Sequence, residues 1–322
     1  MSRFLTMAAT MQTLSLAAME EASRDGRREA DIEHLLLALV LSDQRAGQVL
    51  RGLGITLEEA RAAVREQHAE QLREVGVTAE HPSQDRIVFH ETNGYDWSER
   101  ALRNLNHSTD RKNGDGDATA VLRGLLDEPS GLITEILGRL GVSADEVRAR
   151  LVEAERIPQH PVIAAGTVRG TFDAFVPAPV DEVWRLVADA ERMPEWEPSV
   201  ASVAATDEDT VWDARVRTEA PDGKRIRVKD AYRRRRVELV EALDPVRVVW
   251  RIHLPDAPFA NPHTLTMDLS PAAGGTQLTL SSTWMRRQGW RRAVGLPLRP
   301  LQRFLVWLAL FQIASGISRV FR

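Results

Sequence analysis

The chain has 322 residues, enough for about two domains, and its 43% hydrophobic content supplies packed cores. Cysteine is absent, which excludes disulfide frameworks, thiolate nucleophiles and cysteine-bound zinc or iron–sulfur centres. The net charge of −4 excludes a generally basic nucleic-acid binder, but it hides an asymmetry: residues 1–155 carry 18 basic and 27 acidic side chains, residues 156–322 carry 24 and 19.

The N-terminus is moderately apolar, but Thr10, Gln12, Thr13 and Ser15 are threaded through it. It lacks the unbroken apolar core and small-residue cleavage site of a signal peptide. The longest apolar run, 304–311, is far shorter than the roughly 18–20 residues of a spanning helix. These features predict a soluble, cytoplasmic protein.

Residues 1–155 read as helical, with apolar residues at helical spacing through 14–22, 32–41 and 57–64. This half contains an internal repeat. Leu53-Gly54-Ile55-Thr56 and Leu140-Gly141-Val142-Ser143 both end one helix and start another, 87 residues apart. Thr56 and Ser143 stand at the N-cap, with acids following in the first turn. Two four-helix units predict one pseudo-symmetric globule.

Those turns, with Arg3-Phe4 at the start, Ile32-Glu33-His34-Leu35-Leu36-Leu37-Ala38-Leu39, and Ile87-Val88-Phe89 opening the second repeat, resemble the N-terminal repeat domain of the Clp family of AAA+ unfoldases. The resemblance covers nearly all of residues 1–155. It implies a domain that receives substrates and adaptors and performs no chemistry. It also implies docking roles for Phe4 and Phe89, whose family counterparts line a groove bound by cyclic peptides; the alternative is that both are core aromatics. Glu33 matches the glutamate of a phosphoarginine pocket in some relatives, although Thr119 stands at the equivalent place in the second repeat. First-turn capping is the plainer account of Glu33. The motor itself is missing. A phosphate-cradling loop needs G-x-x-x-x-G-K-[ST], and Gly223-Lys224 is followed by Arg225.

Around Ile157-Pro158-Gln159-His160-Pro161 the texture changes, which places a linker at 156–166 and a second domain at 167–322. The order there reads strand (168–176), two short helices (179–197), antiparallel strands (199–284) and a long helix (290–320). Pro179-Val180-Asp181-Glu182-Val183-Trp184-Arg185-Leu186-Val187-Ala188-Asp189, followed by Met193-Pro194-Glu195-Trp196, resembles the START-like (helix-grip) superfamily, particularly its polyketide cyclase/dehydrase branch. That resemblance implies an α+β fold in which a curved antiparallel sheet grips the C-terminal helix around an apolar cavity. The whole chain is thus expected to be an all-α double repeat followed by an α+β grip domain.

Period-two alternation assigns an inner face to Trp212, Ala214 and Val216, to Val248, Trp250 and Ile252, to His263, Leu265, Met267 and Leu269, and to Leu278, Leu280, Ser282 and Trp284. The same count from Ile226 and Val228 puts Asp230 and Tyr232 inside. Polar members of an inner face need partners or ligands. Asp230 and His263, with Tyr232 and Ser282, are therefore the candidates for general acid–base work on an enolisable ketone. The alternatives are a ligand cavity without chemistry, walled by Trp212, Tyr232, Trp250, His263, Met267, Ser282 and Trp284, and a filled core.

From Trp284 onward there is no acid and there are eight arginines, so the last helix reads either as the gripped core helix or as a surface for anionic lipid. The arginines at 233–236 read as a solvated strand edge, because no stacking aromatics alternate with them. No histidine pair has metal-ligand spacing, so neither metal nor cofactor is expected. The expected partners are Clp ATPase or protease components, or their substrates and adaptors, together with a hydrophobic small molecule or lipid.

Overall fold

The computed structural model describes residues 3–77, 87, 96–109, 116–156, 168–220, 223–257, 260, 262–284 and 299–322. The chain divides into two compact units, Met1–His160 and Pro161–Arg322.

In the first unit the helical spacing becomes α1 (Arg3–Arg24), α2 (Ile32–Val40), α3 (Arg45–Gly52) and α4 (Leu57–Glu74), then α5 (Glu99–Thr109), α6 (Ala118–Leu126), α7 (Leu132–Arg139) and α8 (Ala144–Glu155). The repeated turns have matching hydrogen bonds. Gly54 and Gly141 take left-handed φ of 88° and 74°, which only glycine adopts without penalty. The Ile55 N–H donates to the Leu50 carbonyl at 3.2 Å and the Val142 N–H to Leu137 at 3.0 Å. Thr56 and Ser143 then cap α4 and α8, accepting from Glu59 and Glu146. Asp31 and Asp117 cap α2 and α6 in the same way.

Across the two repeats α3 packs on α8 and α4 on α7, the reciprocal arrangement that a twofold relation produces. A two-residue parallel pairing of β1 (Glu29–Ala30) with β2 (Asp96–Trp97) joins the repeats at their entries. Leu35, Leu39, Leu50, Val121, Leu122, Ile133 and Leu137 form one continuous core. Helix α2 is buried on all sides, as a helix apolar all round must be.

The second unit is a seven-stranded antiparallel sheet in the order β3-β9-β8-β7-β6-β5-β4. Its strands are β3 (Val168–Val176), β4 (Val200–Ala205), β5 (Val211–Val216), β6 (Arg234–Leu243), β7 (Arg247–His253), β8 (His263–Ala272) and β9 (Gly275–Trp284). Helices α9 (Val180–Val187) and α10 (Met193–Trp196) follow β3, and α11 (Arg299–Val320) ends the chain. The expected long helix thus spans Arg299–Val320 among the described residues.

Helix α11 lies against β3, β9 and α10, and two glycines allow its approach. A Cβ on Gly170 would meet Val306 at 2.1 Å, and one on Gly316 would meet the Trp196 carbonyl at 2.0 Å. Phe172 on β3 meets Trp307 and Phe311 edge-on, with centroids 6.1 and 5.9 Å away. No described helix is long and apolar enough to cross a membrane.

One expectation is overturned here. Residues 226–232 alternate like a strand, yet the chain forms only an isolated bridge, Glu219 to Arg225, then a single 3-10 turn over Asp230–Tyr232. Lys224, Arg225, Arg227 and Lys229 crowd this segment, and Ile226 is left 44% exposed. With so little apolar area to bury, the stretch has no reason to join the sheet.

Candidate functional site

In the first unit, sequence reasoning singled out Phe4, Glu33 and Phe89. Phe4 lies in the first turn of α1, its side chain outside the described residues, and Phe89 lies outside them altogether. Glu33 is fully buried in α2. Asp31 caps α2 and His34 completes the capping box, while Glu33 stands as the acid of the first turn.

Arginine and histidine side chains of this chain surround the Glu33 carboxylate. Arg27, His68 and Arg100 approach it at 3.5 Å and the His34 Nδ1 at 3.8 Å. Burial pushes this carboxyl up, but His68 and His34 outweigh it and hold it below the ordinary carboxylate range. Arg100 also binds Asp31 through both its Nε and a terminal nitrogen, so the start of the second repeat clasps the start of α2. A partner's guanidinium would have to displace the chain's own. A separate cleft of about 240 Å³ lies where α1 ends and α4 begins, lined by Glu21, Arg24, Asp25, Glu58, Arg61 and Arg65 among others.

In the second unit, register decides which side chains share the concave face, since directly opposed residues of antiparallel strands point the same way. Trp212 opposes Val237, which opposes Ile252, which opposes His263. Met267 opposes Val248 and Leu280; Ser282 opposes Leu265 and Gly170. Trp250 meets Trp212 edge-on at 5.8 Å and donates its Nε1 hydrogen to the Val187 carbonyl at 2.9 Å. Trp250, Met267 and Leu280 have no exposed surface, so this part of the wall is densely packed. Trp284 opposes His263 on β9, and its side chain lies outside the described residues.

Asp230 and Tyr232 do not share this face. Tyr232 is 45% exposed, and Asp230 is an exposed partner of Arg233 at 3.1 Å. The expected acid–base set therefore does not assemble, because its two members on the 3-10 turn never enter the sheet.

Sequence reasoning missed Arg235. It opposes the fully buried Ala214, which puts it on the inner face beside His263 and Val237. Burial, and then the positive charge of Arg235, push the His263 imidazole down to about 4. Arg235 donates to the Ser199 hydroxyl at 2.8 Å, and Ser199 in turn bonds to Glu197.

A neutral, half-buried histidine has a consequence for acid stability. Its folded value lies below the ordinary 6.5, so the unfolded chain binds more protons between pH 6.5 and about 4. Stability from this group is intact above pH 6.5 and is lost as pH falls through that window. Denaturant unfolding at pH 7 and 4.5 should show the wild type losing about 2 kcal/mol more than His263→Gln. Equal losses would show that His263 is solvated.

Residues 167–305 match the family model described as polyketide cyclase / dehydrase and lipid transport, and residues 7–87 match that of the Clp repeat (R) N-terminal domain. No curated protein matches the chain. Solved structures similar to it include protein TTHA0849 from Thermus thermophilus, at 21% identity, covering 47% of this chain and 96% of that one, with a TM-score of 0.33. Protein Ms6760 from Mycobacterium smegmatis is 20% identical, covering 48% and 90%, with a TM-score of 0.34. The di-domain ARO/CYC StfQ from the steffimycin biosynthetic pathway is 18% identical, covering 61% and 60%, with a TM-score of 0.35.

Proposed function

We propose that this chain, a Clp repeat N-terminal domain joined to a polyketide cyclase/dehydrase-type domain, is a binding protein with neither motor nor reaction of its own. The second unit holds a hydrophobic small molecule or lipid between its sheet and last helix. The first unit docks to Clp ATPase components, or to their substrates and adaptors, so that the ligand state of one unit governs delivery or sequestration by the other. One observation carries the choice of binding over catalysis: the concave face is apolar along Trp212, Val237, Trp250, Leu265 and Met267, while Asp230 stands outside it on an exposed turn. An apolar wall with few polar groups is the composition of a small-molecule site, and the family description includes lipid transport.

Native mass spectrometry of the full-length protein, purified from its own host, tests the ligand half. A small-molecule adduct, present on isolation or taken up from a host lipid extract, is the expected result. A bare chain mass in both preparations would reject it. Retention of the host's Clp ATPase on the immobilised protein tests the other half, and loss of retention regardless of added lipid would reject docking.

A further inference from the structure

The arginines at 233–236 divide in two by register and by partner. Arg233 pairs with Asp230, Arg234 with Asp256 and Arg236 with Asp213, each at 3.1–3.4 Å and each among solvent-facing side chains. Arg235 alone opposes a core residue, Ala214, and its partner is a hydroxyl, Ser199. Among the described residues it makes no ion pair. A half-buried guanidinium loses much of its hydration and recovers little of it from one neutral hydroxyl.

A second guanidinium lies at the same end of the sheet, on the residue that follows Val216 of β5. The Arg217 backbone N–H donates to the Ser199 carbonyl at 2.8 Å, and one of its terminal nitrogens donates to the Val200 carbonyl at 3.2 Å. Its Nε is buried with no hydrogen-bond partner. Buried donors left open in a native structure ask for an acceptor. The neighbouring inner-face group, His263, adds no competing negative charge, and Glu197 is engaged by the Ser199 hydroxyl and backbone N–H. Two guanidiniums beside a largely apolar wall therefore present donors and positive charge, and the nearest acid, Glu197, stands behind the Ser199 hydroxyl and forms no ion pair with either among the described residues.

We infer that the ligand of the second unit is an anionic amphiphile, an apolar body ending in a carboxylate or phosphate monoester, whose oxygens are received by Arg235 and Arg217 at the Ser199 end of the concave face. This rests on the ligand-binding reading above and adds the polarity and orientation of the ligand. The apolar body lies along Val237, Ile252 and Leu265, and the charged end turns towards β4. Charge-assisted bonds to a partly desolvated guanidinium are the strong kind, and the planar fork matches an oxyanion.

The test uses the full-length protein and dansyl-labelled undecanoic acid, with its methyl ester as the uncharged twin. The wild type should bind the acid about tenfold more tightly than the ester. Arg235→Gln should bring the two near parity, Arg235→Lys should keep part of the preference, and Arg236→Gln, on the outer face, should leave it unchanged. Laurate and lauryl phosphate as competitors separate a carboxylate from a phosphate head, and dodecanol displacing the probe as well as either would overturn the inference. So would equal wild-type affinity for acid and ester, which leaves the hydrophobic-ligand reading standing. An undiminished preference in Arg235→Gln with an unchanged unfolding midpoint would overturn it too. If the wild type binds neither probe, both readings fall together.

Discussion

Arg61→Leu is expected to destabilise the first unit by about 3–5 kcal/mol, the cost of leaving a buried charge without its partner. The Arg61 Nε and one terminal nitrogen reach the two oxygens of Glu21 at 2.8 and 2.9 Å, and the other terminal nitrogen reaches Glu58. Side-chain exposure is 4% for Arg61 and 1% for Glu21, so water cannot replace the lost contact. The pair joins α1 to α4 and forms part of the wall of the cleft between them. Glu21→Leu combined with Arg61→Leu should be much milder than the single change, because the double variant strands no charge. Urea unfolding of the full chain, followed by far-ultraviolet circular dichroism, reads the difference. A single variant no worse than the double would show that Glu21 is hydrated in the native state.

That pair also shows what a linear sequence conceals. The repeat itself is readable, because Gly54 and Gly141 sit at equivalent turns and Thr56 and Ser143 at equivalent caps, all local features. The Glu21–Arg61 bridge spans 40 positions and the Asp31–Arg100 clasp 69, and no spacing rule links such residues. Glu33 meets Arg100 of the second repeat at 3.5 Å, and nothing near residue 33 in sequence announces that neighbour.

In the second unit alternation succeeded wherever a strand buries one face. Trp250 and Ile252, and Leu265 and Met267, fall on the buried side as period two demands. It failed at 226–232, where the polar members of the alternating run are mostly charged and the chain turns instead. It was also interrupted in β6, where a bulge between Leu239 and Glu241 leaves Val240 43% exposed. Arg235 was hidden in plain view. Four consecutive arginines look equivalent, and only their register against β5 distinguishes the inward one. The family-scale features of both units were therefore local and readable, whereas which polar groups reach the inner face depends on pairing between strands.

Trp250→Ala is the second large change expected, with a loss of about 3–5 kcal/mol in the second unit. The indole has no exposed surface, packs edge-on against Trp212 and fixes the end of α9 through Val187. Trp250→Phe keeps much of the volume but orphans the Val187 carbonyl from this donor, which should cost about 1–2 kcal/mol. Leu243→Ala, at a site 54% exposed, should change little. Denaturant midpoints of the full chain, followed by tryptophan emission and circular dichroism together, order the three. The ranking bears on the ligand as well as on stability. Trp250 and Met267 fill the middle of the inner face, so the proposed ligand site lies towards Ile252, His263 and Arg235, where the wall is less completely sealed. A Trp250→Ala variant that is barely destabilised would mean the middle of the sheet is already hollow, and the ligand would then sit deeper than the arginines can reach.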